Sequence, residues 1–158
     1  MIETTSEMTR RSMFATIGAG VFAGITLARP AEAAEWSEVE KANVKTVNDF
    51  CATWKARDAA KTGSFFAENC VVRMAAHDPS RPPLVGQSAV VDTLKNLFNR
   101  SSVELIVEDT FAKGPLVVNS RLDRVVSQSG TRDVYYAGVF FLQRGMIIEW
   151  SDYDVTKI

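Results

Sequence analysis

The chain has only one histidine, His77, and two cysteines, Cys51 and Cys70, in 158 residues. That scarcity argues against a structural zinc centre, which takes four nitrogen or sulfur ligands. No charge of one sign prevails: 18 Lys and Arg stand against 19 Asp and Glu, for a net charge of −1. That balance favours neither nucleic acid nor an acidic membrane surface as a partner. There is no internal repeat and no low-complexity tract. The apolar run Met13–Ala28 is too short and too Gly-rich for a membrane span of about 20 residues. What remains is an ordinary globular composition, 46% hydrophobic and 23% charged, at a length that suits one domain.

The first 33 residues read as a signal peptide. Arg10 and Arg11 precede the apolar run, and Ala31-Glu32-Ala33 supplies a small-residue cleavage site. The paired arginines, with Arg29 after the run, give it the look of a twin-arginine signal. Met13 stands where such signals usually carry an aromatic. An uncleaved N-terminal anchor is the alternative. Cleavage after Ala33 would remove three arginines and three glutamates, so the net charge of residues 34–158 stays at −1. The expected location is periplasmic or secreted. An oxidising compartment permits a disulfide. Cys51 nevertheless falls on an apolar helical stripe and Cys70 at a strand start, as buried free thiols do.

Residues 34–158 read as one α+β domain. Ser37 and Glu40 form a capping box that starts a first helix. Val44, Val47, Phe50, Cys51 and Trp54 follow at helical spacing and form a core stripe. Asp58 caps a short second helix ending near Phe66, where Gly63 weakens the pattern. Cys70 to Met74 reads as a first strand, and His77 to Pro83 as a loop with three prolines. A third helix follows Gly86, with Val90, Leu94, Leu97 and Phe98 on one side. Strands are expected at about 103–112, 116–126, 134–143 and 146–156, with turns at Gly114-Pro115, Ser129-Gly130 and Arg144-Gly145. This pattern predicts three N-terminal helices packed on a curved antiparallel or mixed sheet around a cone-shaped pocket.

Two short segments stand out: Arg121-Leu122-Asp123 and Trp150-Ser151-Asp152-Tyr153. Strand alternation puts Arg121 and Asp123 on one face, with Asn119, and Trp150 and Asp152 on one face, with Ile148. Neither strand has a cleanly apolar face, so alternation leaves two arrangements open. The charges can be solvated surface ion pairs, each worth under about 1 kcal/mol. Or the two faces meet, and one guanidinium lies between two carboxylates. In that case one acid tends to hold its proton and the other to lose it. A general acid and a general base then stand side by side, as opening a strained ring with water requires. His77, in the Pro-rich loop, reads as a solvated residue. Tyr135-Tyr136 and Phe140-Phe141 each put one aromatic on either sheet face.

Phe66-Ala67-Glu68, Pro82-Pro83 with Gly86-Gln87-Ser88-Ala89-Val90, Arg121-Leu122-Asp123, Gly138-Val139-Phe140 and Trp150-Ser151-Asp152-Tyr153 occur in an order and spacing similar to the limonene-1,2-epoxide hydrolase family. That family lies within the wider nuclear-transport-factor-like, ketosteroid-isomerase-like fold. The resemblance covers roughly residues 37–156. It implies that Asp152 acts as base toward a water molecule, that Asp123 protonates the epoxide oxygen and that Arg121 bridges the two. It implies a one-step reaction on a small or medium apolar epoxide, with no covalent intermediate, metal or cofactor, in a protein that is commonly a homodimer. One departure is plain. Where the family holds its water with a tyrosine and an asparagine, this chain has Val72 and Met74, which cannot do so. Asn119, Tyr135 and Tyr136 are the candidate substitutes, and Val72, Met74, Trp150, Asn119 and Tyr136 are the expected pocket residues. Two other functions suit the same fold: a cyclase or isomerase of polyketide or steroid type, and a non-catalytic module for an apolar ligand.

Overall fold

The computed structural model describes residues 35–156, so the signal-peptide reading lies outside the described residues. Helix α1 spans Glu38–Thr53, and its capping box is formed. Ser37 N–H donates to Glu40 Oε2 at 2.7 Å, and Glu40 N–H donates to Ser37 Oγ at 3.3 Å. The expected stripe Val44, Val47, Phe50 and Cys51 is buried. A 3-10 turn, Trp54–Ala56, follows and stops at Arg57, which takes a left-handed φ of 57°. Helix α2, Ala59–Gly63, ends three residues before Phe66. A Cβ on Gly63 would lie 2.3 Å from Val91 Cγ2. The glycine that weakens the helical pattern is therefore what lets α2 sit close on helix α3, Gln87–Arg100.

Six strands form one sheet: β1 Phe66–Arg73, β2 Leu84–Val85, β3 Ser101–Lys113, β4 Leu116–Ser127, β5 Gly130–Gln143 and β6 Met146–Asp154. Their order is β2-β1-β6-β5-β4-β3. Only β1–β6 is parallel. The fold is thus α+β, with helices packed on a curved mixed sheet as the sequence pattern predicts. Strand β1 begins four residues before the expected Cys70 and ends before Met74. Both cysteines are buried and free, and burial pushes the Cys51 thiol up to about 12. A thiol so disfavoured as thiolate behaves as a small apolar group.

An aromatic cluster fills the space between α1 and the sheet. Phe50 meets Trp54, Phe65, Phe66, Phe140 and Trp150 edge-on at centroid distances of 5.3–6.1 Å. Phe140 and Trp150, neighbours across β5 and β6, stack at 5.8 Å. Edge-on and offset pairs gain beyond their buried area. This packing fixes the Trp150 ring, and with it the wall on which the polar residues are mounted.

At the far end, Glu40 ties α1 to the β3–β4 turn. Its Oε1 accepts from Gly114 N–H at 2.8 Å, while Asn43 Nδ2 donates to Gly114 O at 2.9 Å. The Gly114 and Ser37 backbone donors hold the Glu40 carboxyl well down, at about 2. Capping residue and cross-domain clamp are here one side chain.

Candidate active site

Strand β4 turns Val117, Asn119, Arg121 and Asp123 inward, and all four are buried. The face that alternation leaves undecided is therefore the charged one. On β6 the inward residues are Ile147, Trp150 and Asp152. Ile147 and Trp150 are three apart because the β5–β6 register slips between Phe141 and Leu142. Ile148, expected beside Trp150, is displaced by this bulge, which adds one residue to a strand and resets its alternation.

Arg121 is fully buried and lies between the two carboxylates. Its Nε donates to Asp123 Oδ1 at 2.8 Å and its Nη2 to Asp123 Oδ2 at 3.4 Å. Nη2 also donates to Asp152 Oδ2 at 2.5 Å. Nη1 donates to Asn119 Oδ1 at 3.2 Å, and Asn119 Nδ2 in turn points at Cys51 Sγ, 3.7 Å away. Trp150 Nε1 donates to Asp152 Oδ1 at 2.6 Å. The guanidinium carbon lies 5.5 Å from the Tyr136 ring centre and 5.7 Å from that of Trp150. Every nitrogen of the cation has a defined partner, as a buried charge requires.

Burial raises both carboxyls above their ordinary value, against the pull of Arg121. Asp123 is pushed from 3.8 to about 6, with the Asp152 charge adding to the rise. Burial opposes the Arg121 cation, yet the carboxylates, Asp152 ahead of Asp123, outweigh it and raise its pKa. Each Asp152 oxygen already takes a short bond from a donor, which favours the ionised form. Asp123 has one good bond and one long one. The two carboxyls are coupled through Arg121 and titrate as a pair.

Both carboxylates line a cavity of about 170 Å³. Trp54, Met74, Leu97, Val103, Val125 and Val134 make its apolar wall. Tyr136, Trp150 and Arg132 complete it. A cavity of roughly 150 Å³ holds a benzene-sized molecule.

The expected pocket residues divide. Trp150, Tyr136 and Met74 line the cavity with Asp123 and Asp152. Asn119 does not; it is buried behind Arg121 as a hydrogen-bond acceptor. Val72 does not either. It is fully buried on β1, in register with Trp150, and borders a separate hollow beside Leu84 and Pro82. Tyr135 points to the outer face, 44% exposed, so it is no substitute for a water-holding group.

Three residues of the site escaped the sequence patterns. A Cβ on Gly138 would lie 2.2 Å from Arg121 Nη1 and 2.6 Å from Asn119 Oδ1. Gly138 pairs with both Asn119 and Asp152, so only a glycine leaves room for the guanidinium. Glycine inside a strand is a signal of such close approach. Trp54, read from its spacing as core, lines the cavity, and its Nε1 is a buried donor without a partner among the described residues. Arg132 gives no sequence signal. Among the described residues no group of three or more His, Cys, Asp or Glu side chains is gathered as a metal site needs.

No protein-family model matches the chain. Solved structures do. An LEH-like epoxide hydrolase of M. tuberculosis superposes with a TM-score of 0.65 at 18% identity, over 73% of this chain and 84% of that one. A SnoaL-like polyketide cyclase from Jannaschia sp. CCS1, so described provisionally, gives 0.63 at 20% identity, over 77% and 91%. An NTF2-like protein of unknown function from Mesorhizobium loti gives 0.62 at 19%, over 76% and 96%. At these identities the likeness is one of fold, shared by hydrolases and cyclases. The described domain has the NTF2-like, SnoaL-like cone fold.

Proposed function

We propose that this protein is a hydrolase that opens a small epoxide with an apolar body to a diol. One observation carries this reading: a buried arginine bridges two carboxylates of raised pKa at the wall of an otherwise mostly apolar cavity. Asp152 takes a proton from water as the water oxygen attacks a ring carbon. That carbon–oxygen bond breaks as Asp123 gives its proton to the leaving oxygen. Arg121 holds both carboxylates in place through the step and stabilises the changing charge. Water is added across the bond, and the proton left on Asp152 returns to Asp123 through solvent.

The water needs a second holder, because Val72 and Met74 offer none. Tyr136 supports that role best. It lines the cavity beside both aspartates, and burial raises its pKa, which keeps the hydroxyl protonated as a donor. Tyr136→Phe should slow turnover by one to two orders of magnitude while the fold is kept.

The test is direct. Purified protein in oxygen-18 water should turn cyclohexene oxide or limonene oxide into singly labelled diol. Asp152→Asn should abolish that activity and keep the fold. Diol absent from every epoxide tried, or an Asp152→Asn variant as active as the parent, overturns the reading. The lack of a water-holding pair on the β1 side favours a second reading, an acid–base isomerase or cyclase. Turnover without oxygen-18 incorporation would select it. We further propose that the protein is exported, to be checked by cell fractionation, and that it works as a homodimer. The outer sheet face supports the dimer, since Phe111, Tyr135, Phe141 and Tyr153 are all exposed there.

A further inference from the structure

Arg132 is the one basic residue on the cavity wall. It belongs to the inward-facing ladder of β5, Arg132–Val134–Tyr136–Gly138, and is the exposed rung of that ladder. Its head is exposed, and no salt bridge engages it among the described residues. Its neighbours contrast with it. Arg124 is held by Asp133 through two bonds of 2.8 and 2.9 Å, and Arg121 by the two site aspartates. Asp133, next in sequence to Arg132, faces the other side of the sheet and is used up by Arg124.

Val134 pairs with Asp123 and Arg132 pairs with Val125, so Arg132 lies one inward rung beyond the acid. One rung is about 7 Å along the strand. Val125, Val134, Val103 and Leu97 line the same cavity, all apolar. Arg121 is committed to the two aspartates, so Arg132 is the cation on the cavity wall left to meet a ligand.

We infer that the cavity takes an anionic ligand: an apolar body that meets the aspartates at one end and carries a carboxylate paired to Arg132 at the other. The chemistry at the reacting end rests on the hydrolase reading above; the anion preference does not. An exposed ion pair is weak, so the effect is a few-fold preference in binding.

Cyclohexanecarboxylate and the neutral cyclohexanecarboxamide test it. Their binding to the purified protein is read from the fluorescence of the cavity tryptophans Trp54 and Trp150. The parent should bind the carboxylate about three- to five-fold more tightly than the amide, less so in high salt. Arg132→Gln should erase the preference for the carboxylate over the amide. With 3,4-epoxycyclohexanecarboxylate against its methyl ester, Arg132→Gln should raise the ratio of the acid's KM to the ester's KM. Equal binding of acid and amide by the parent, no binding of either, or a preference that survives Arg132→Gln would each overturn the inference. Because binding is read without turnover, a failed diol assay sinks the hydrolase and leaves this result standing.

Discussion

The domain holds two sets of buried carboxylates, one at each end, and they are shifted in opposite directions. Glu40 accepts from the backbones of Ser37 and Gly114 and is held at about 2. Asp123 and Asp152 share one guanidinium and are both raised. Backbone donors near solvent stabilise the anion at little desolvation cost. A lone cation divided between two anions in an apolar wall does not fully offset the burial of both. The first arrangement fastens a helix to a turn. The second raises both carboxyls toward neutral pH, a kind of shift that clusters at functional sites.

The contrast can be broken at its charged centre. Arg121→Met leaves two buried carboxylates with no cation between them. The expected loss is about 3–5 kcal/mol, read from urea denaturation at pH 7, and it should shrink at pH 4 as the carboxyls take up protons. Gly138→Ala attacks the same point by volume. A methyl 2.2 Å from Arg121 Nη1 must displace it, at about 1–3 kcal/mol, with turnover lost in proportion. An Arg121 pKa or an Asp123 titration unchanged in that variant would show that the site adapts.

The opposite shifts give opposite slopes of stability with pH. Asp123 binds its proton more tightly folded than unfolded. Its contribution is therefore present below about 3.8 and lost as pH rises through about 6, by roughly 1–3 kcal/mol. Asp123→Asn should flatten denaturation midpoints between pH 4 and 6. Glu40 behaves in reverse. Its contribution is present above about 4.5 and lost as pH falls toward 2. Glu40→Gln should lower stability at pH 7 and leave that at pH 2 nearly unchanged, a smaller effect than the others. The smallest concerns the outer face: Tyr135→Arg with Tyr153→Arg should turn a dimer into a monomer in light scattering without altering Asp123.

Much of this was legible in the sequence, and the exceptions have physical causes. The Ser37–Glu40 box and the Val44–Phe50 stripe are local, and local patterns survive folding. Alternation placed Arg121 with Asp123 and Trp150 with Asp152. It was silent on which face is buried, because burial is decided by what packs on top, here Phe50 and Trp54. It also misassigned Ile148, since a bulge leaves no periodic trace. Gly138 serves a neighbour on another strand, which only pairing reveals. Val72 and Met74 fall on one face by alternation, yet Val72 is core and, of the two, Met74 alone lines the cavity. Arg132 was one surface charge among 37 Lys, Arg, Asp and Glu residues until register placed it on the wall.

The most direct measurement is a carbon-13 NMR titration of the aspartate carboxyls, with Asp123→Asn to assign the signal. The expected result is an Asp123 midpoint near 6, well above 3.8, coupled to a second raised transition from Asp152. A midpoint at or below 3.8 would mean that Arg121 keeps both carboxylates ionised at every working pH. The cluster would then be a buried ion-pair network, with no proton to give.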